Sequence, residues 1–147
     1  MKTEALIAVK DKQTTPDGSE SVEITTRGYV IHGHTDTYMI CYDERFDEEN
    51  TCHTTIRVKN GDSVSVVRSG AYSSELIIER GKRQSCFYRT PYGELLIGIY
   101  GKQVKSTVKN GSGELKLKYT IDYYGDYAAE NEMTIIVTAD GGKDEIN

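Results

Sequence analysis

Residues Gln84–Gly101 read QSCFYRTPYGELLIGIYG, and this stretch decides the fold. Cys86 to Thr90 favours a strand, Pro91-Tyr92-Gly93 a tight turn, and Glu94 to Tyr100 a second strand. Proline fixes φ at the first corner of a turn and glycine supplies positive φ near its end, so the chain has a physical reason to fold back here.

Working outward, Gly and Asn-Gly punctuate the chain at intervals of about 8 to 12 residues, the spacing of a sandwich or barrel. Ala5, Ile7 and Val9 alternate with polar or small neighbours, as do Val22, Ile24 and Thr26. Tyr38, Ile40, Tyr42 and Glu44 share one face of a strand. Cys52, Thr54, Ile56 and Val58 lead into Asn60-Gly61, a strong hairpin signal, and Val64, Val66 and Arg68 run back from it. Leu115, Leu117, Tyr119, Ile121 and Tyr123 give the cleanest period of two, which a sheet with one buried face explains. Lys10–Ser19 reads as a turn-rich loop, Lys102–Lys109 as a weaker separate strand, and Tyr124–Glu130 as a loop or short helical turn. Met133, Ile135 and Val137 form the last strand.

No apolar stripe recurs at helical spacing. The expected fold is all-β, a single antiparallel, mostly up-and-down barrel of about nine to eleven strands, because closure removes exposed edges. A flattened two-sheet sandwich is the alternative. One domain spans residues 1–138, with a polar, flexible tail over 139–147.

The 147 residues carry 18 Lys plus Arg against 23 Asp plus Glu, a formal charge of −5. This balance argues against nucleic acid as a partner, since phosphate binding needs clustered cations. Lys102, Lys105, Lys109, Lys116 and Lys118 read as solvated strand faces. No apolar run is long enough for a membrane helix, and the N-terminus lacks the pattern of a signal peptide, so neither membrane nor export is expected. Cys41, Cys52 and Cys86 lack CxxC spacing and read as small hydrophobes, which fits a reduced, cytoplasmic protein.

Several segments then fall into a familiar order. They are Tyr42-Asp43-Glu44, Thr55 to Val58, Arg68-Ser69-Gly70, Tyr88-Arg89-Thr90-Pro91-Tyr92-Gly93-Glu94-Leu95, Gly113-Glu114-Leu115 through Tyr119, and Asn131-Glu132-Met133-Thr134-Ile135. In this order the chain resembles the YwiB-like family of uncharacterised bacterial proteins, from about Ala5 to Val137. The resemblance implies a calycin-type, lipocalin-like β-barrel and brings no reaction, ligand or catalytic residue with it.

Glu44 and Arg68 fall on the apolar parity of their strands, near strand ends where a barrel interior gives way to its mouth. Unpaired burial of either charge is costly, so they emerge into solvent, pair with each other, or anchor a ligand. The guanidinium fork of Arg68 suits a carboxylate or phosphate. Tyrosine is abundant, with 11 Tyr, two Phe and no Trp. Tyr38, Tyr42, Tyr88, Tyr119 and Tyr123 are expected to face inward, either as an amphipathic core or lining a cavity.

His32 and His34 share a strand face, but spacing fixes no third metal ligand, and exposed hairpin histidines are the plainer reading. Asp47, Glu48 and Glu49 read as solvating charge. Cys52 and His53 point to opposite faces, which removes them as a nucleophile pair. No catalytic template is present.

The expected function is therefore non-enzymatic binding of a small amphiphilic or anionic, partly hydrophobic ligand inside or at the mouth of the barrel. The residues assigned to it are Arg68, Glu44, Tyr42, Tyr88, Tyr119 and Tyr38. No catalytic residue, metal or cofactor is assigned. The alternatives are a structural or protein-interaction module with a filled barrel, a homodimer included, and an enzyme of unknown reaction.

Overall fold

A computed structural model describes residues 2–34, 36–45, 48–70, 73–90 and 93–140, without the side chains of 88–90. Ten strands follow one another: β1 (Lys2–Thr15), β2 (Gly18–His32), β3 (Tyr38–Arg45), β4 (Thr51–Lys59), β5 (Ser63–Gly70), β6 (Ser73–Glu79), β7 (Arg83–Thr90), β8 (Gly93–Ser106), β9 (Gly113–Tyr123) and β10 (Asp126–Ala139). Each pairs antiparallel with its sequence neighbours, and β1 closes the ring on β10, from Ala5 opposite Ala139 to Thr14 opposite Glu130. The result is an up-and-down barrel.

Tight turns set the hairpins: three residues separate the paired Lys59 and Ser63, and two separate Lys109 from Ser112 and Tyr123 from Asp126. Asn60-Gly61, Asn110-Gly111 and Tyr124-Gly125 all have positive φ at both positions, the geometry whose twist matches that of antiparallel strands. The hairpin between β7 and β8 pairs from Arg83 opposite Tyr100 to Thr90 opposite Gly93, while Pro91 and Tyr92 lie outside the described residues.

Three segments differ from the sequence reading. Lys10–Ser19 is no loop: β1 runs to Thr15 and β2 restarts at Gly18, around a turn at Pro16-Asp17. Polar residues occupy both faces here, so the period of two is present without its apolar half. Lys102–Lys109 is not a separate strand, because β8 continues to Ser106 through a bulge between Gly101 and Gln103. Tyr124–Glu130 is a tight turn followed by the start of β10, with a further bulge between Tyr127 and Ala129. A bulge shifts the face on which side chains emerge, which hides strand continuity from an alternation count. At the C-terminus, Ala139 still pairs with Ala5 and Asp140 N–H donates to the Glu4 carbonyl; residues 141–147 lie outside the described residues.

One end of the barrel is solid. Ile7, Val30, Ile40, Ile56, Val58, Val64, Ile78, Ile99, Leu115, Leu117 and Ile135 are fully buried, each worth roughly 1.5–3 kcal/mol relative to exposure. Tyr38 closes the same region, its hydroxyl 2.5 Å from Ser106 Oγ. His32 Nε2 accepts a hydrogen bond from the Gly111 N–H at 2.9 Å, which ties β2 to the β8–β9 connection. The seam between β6 and β7 is the weak part of the ring. Among the described residues its ladder pairs Ser73 with Arg89 and Ser74 with Tyr88, and further along the Cys86 thiol accepts the Ile77 N–H at 3.4 Å.

Glycine is needed where β2 and β3 approach. A methyl at Gly28 would sit 2.1 Å from the Cys41 carbonyl oxygen and 2.6 Å from Ile7 Cδ1. Neither can yield without moving the sheet or the core. Gly28→Ala is expected to destabilise by at least about 2 kcal/mol in chemical denaturation. An unchanged midpoint would show that the β2–β3 spacing is not tight.

Candidate functional site

The other end is hollow. Beyond the apolar half, the inner face of the long β1–β2 hairpin turns largely polar, carrying Asp11, Gln13 and Glu20 beside Val22. Asn131 on β10 and Arg68 on β5 stand on the same inner face. Together with Leu76, Leu95, Ile97, Tyr119, Ile121 and Tyr123 they line an open cavity of about 350 Å³.

The polar wall is a connected network. Arg68 Nε donates to Glu44 Oε1 at 3.4 Å, and the Thr54 hydroxyl donates to the same oxygen at 3.1 Å. On the opposite side, Gln13 Nε2 donates to Asn131 Oδ1 at 3.2 Å, and Asn131 Nδ2 donates to Asp11 Oδ1 at 3.5 Å. The side chains of Arg68 and Glu44 are only 22% and 17% exposed, so the pair is largely withdrawn from water. Burial works against the Arg68 charge, but the neighbouring Glu44 carboxylate outweighs it and holds the guanidinium protonated. Among the described residues the buried Tyr42 hydroxyl has no hydrogen-bond partner, although Arg68 is near enough to favour its ionised form slightly. Burial pushes the Tyr42 and Tyr119 phenols far up, so both stay neutral.

Burial also raises the Asp11 carboxyl, and Glu44 adds to the rise; Arg68 and the Asn131 hydrogen bond offset part of it.

The sequence-assigned residues divide by place. Tyr119 and Arg68 line the cavity, with Glu44 fixed to Arg68. Tyr42 is buried beside them. Tyr38 lies at the solid end, bonded to Ser106, and so stands apart from this group. Tyr88 is in β7, but its side chain lies outside what the structure describes. Asp11, Gln13, Glu20 and Asn131 are the residues that sequence reasoning missed. The available signal was a run of polar residues at the inward parity of β1, continuing Ala5, Ile7 and Val9.

Elsewhere, Cys41, Cys52 and Cys86 are buried and form no disulfide. On the outer face His53 Nδ1 lies 2.5 Å from Asp43 Oδ1, with Cys41 in the same shallow groove. His53 and Asp43 are 65% and 62% exposed, so nothing shields that pair from water and it reads as a surface ion pair. Among the described residues no group of three or more His, Cys, Asp and Glu is placed to hold a metal. No helix is long and apolar enough to cross a membrane.

Comparison with known proteins bears on this architecture. The model of a family described as a domain of unknown function, DUF1934, matches residues 7–135. The chain is 26% identical over 144 residues to the uncharacterized beta-barrel protein YwiB of Bacillus subtilis (strain 168), covering 97% of this chain and 98% of that protein. The crystal structure of the ywiB protein from Bacillus subtilis matches with a TM-score of 0.81 at 22% identity, over 94% of this chain and 92% of that one. That likeness concerns the fold.

Two outcomes follow from the network. Removing the cation by Arg68→Leu strands a withdrawn carboxylate, so it is expected to cost about 2 kcal/mol, at least half of it recovered by adding Glu44→Gln. A denaturation cycle in which the two substitutions simply add would contradict the coupling. Because the folded Asp11 carboxyl titrates above its ordinary 3.8, its contribution to stability is present below that value and is lost as pH rises through the raised one. Asp11→Asn removes this loss, so its melting temperature should gain on the parent's between about pH 3.5 and pH 7. A difference that stays flat across that range would contradict the assignment.

Proposed function

Because this chain belongs to the DUF1934 family, described as a domain of unknown function, we propose its role from its own cavity: it binds a small amphiphilic ligand without transforming it. The observation that carries this is the half-empty barrel, a cavity of about 350 Å³ lined by apolar Leu76, Leu95, Ile97 and Ile121 and by polar Asp11, Gln13, Asn131 and Arg68. Small-molecule sites share this make-up, an apolar enclosure with a few convergent polar groups. Such a volume accepts roughly fourteen to seventeen non-hydrogen atoms at about 20–25 Å³ each. The polar groups offer both donors and acceptors for a head, and the apolar residues take the tail. Arg68 and Glu44 anchor that head, Tyr42 and Tyr119 back it, and a cytoplasmic setting suits three buried cysteines outside any disulfide.

A protein-contact role has separate support in the outer face beside the mouth, where Phe87 is 61% exposed opposite Leu96. Sedimentation over a range of concentrations, with Phe87→Ser alongside, tests self-association there.

The binding role is tested with a neutral, environment-sensitive naphthylamine dye. The parent protein should bind it at one site with enhanced emission. Ile121→Trp, which fills the mouth, should weaken binding at least about tenfold while leaving the melting temperature within a few degrees. Equal binding by parent and plugged variant, or none by either, would contradict the cavity reading.

A further inference from the structure

We infer that the mouth cavity selects amphiphiles with a cationic, amine-type head and rejects anionic ones; this rests on the binding role proposed above. The charge census is the first ground. Among the described residues one cation, Arg68, stands among three carboxyl groups, Asp11, Glu44 and Glu20. Its Nε is already given to Glu44, whose charge offsets its own. An incoming carboxylate or phosphate would add a further negative group around one guanidinium that is already paired in a largely dehydrated site.

The second ground is Asp11. Among the described residues Asp11 accepts one long hydrogen bond, 3.5 Å from Asn131, which leaves acceptor capacity to the cavity. An ammonium donates three hydrogen bonds and accepts none, so it matches this wall. Its neighbours add to the match: Asn131 Oδ1 and Gln13 Oε1 are further acceptors, and the rings of Tyr119 and Tyr123 offer π-faces. Leu76, Leu95, Ile97 and Ile121 remain for an alkyl tail.

The third ground is electrostatic. Burial raises the Asp11 carboxyl against the pull of Arg68, and a cation placed beside it favours the charged form. The charged or titratable groups facing Asp11 are Arg68 on β5, Glu44 and Tyr42 on β3, Tyr119 on β9 and Glu20 on β2. The two phenols stay neutral, which leaves the carboxylates in the majority.

The test uses octylamine, octan-1-ol and octanoate as displacers of the neutral dye. Octylamine should displace it at concentrations roughly tenfold or more below octanoate, with octanol between. In Asp11→Asn the amine should lose most of that advantage while octanol is unchanged, which also reports an intact cavity. Affinity for octylamine, but not for octanol, should fall as pH drops through the Asp11 titration. Octanoate binding as well as octylamine would overturn the inference and leave the cavity role standing. So would an amine preference that survives Asp11→Asn and is flat with pH. Failure of the dye and all three displacers would overturn both.

Discussion

Closure of β1 on β10 is the constraint from which the rest of the molecule follows. Once the ring is shut, residues of one parity point into a single lumen, and among the described residues strand edges are paired except along the short β6–β7 ladder. The strand number then sets the width. About eight strands leave an interior that side chains just fill, and ten leave more. Ile, Val and Leu fill the part around Ile7, Ile56, Ile99 and Leu117. Toward the far end many inward positions turn polar, and the excess width persists as a cavity.

That polar lining has an energetic logic. Asp11, Glu44, Arg68 and Asn131 would each be costly alone in a dry barrel, and they are satisfied by one another and by the opening to solvent. A barrel evolved only for stability gains nothing from replacing Ile and Val by these groups, since well-packed apolar residues of similar volume do as well or better than a buried pair. The network therefore points to what the lumen holds rather than to what keeps it folded. The outward face supports the same direction of reading: it carries Lys10, Glu23, Lys116 and Lys118, while the apolar face looks inward.

Much of this was legible in the chain itself. Alternation in Leu115 to Tyr123, the Asn60-Gly61 turn and the fold-back after Thr90 are local signals, and together they lead to an up-and-down barrel. Glu44 and Arg68 were legible for the same reason, being charges at an apolar parity. Asp11 and Gln13 were not, because β1 is polar on both faces beyond Val9 and then looks like a loop. Asn131 was hidden by the bulge between Tyr127 and Ala129, which breaks the count of parity just before it. Which side chains converge across the lumen depends on barrel stagger, and no local pattern encodes that.

The central claim is that one end of a closed ten-stranded barrel is open to a small molecule. Intermolecular nuclear Overhauser effects between octan-1-ol and methyl-labelled protein test it most directly. The account predicts cross-peaks from the alkyl chain to the methyls of Leu76, Leu95, Ile97 and Ile121, with none to Leu6 or Ile136 on the outer face. Cross-peaks confined to outer-face methyls, or none at saturating alcohol, would contradict it.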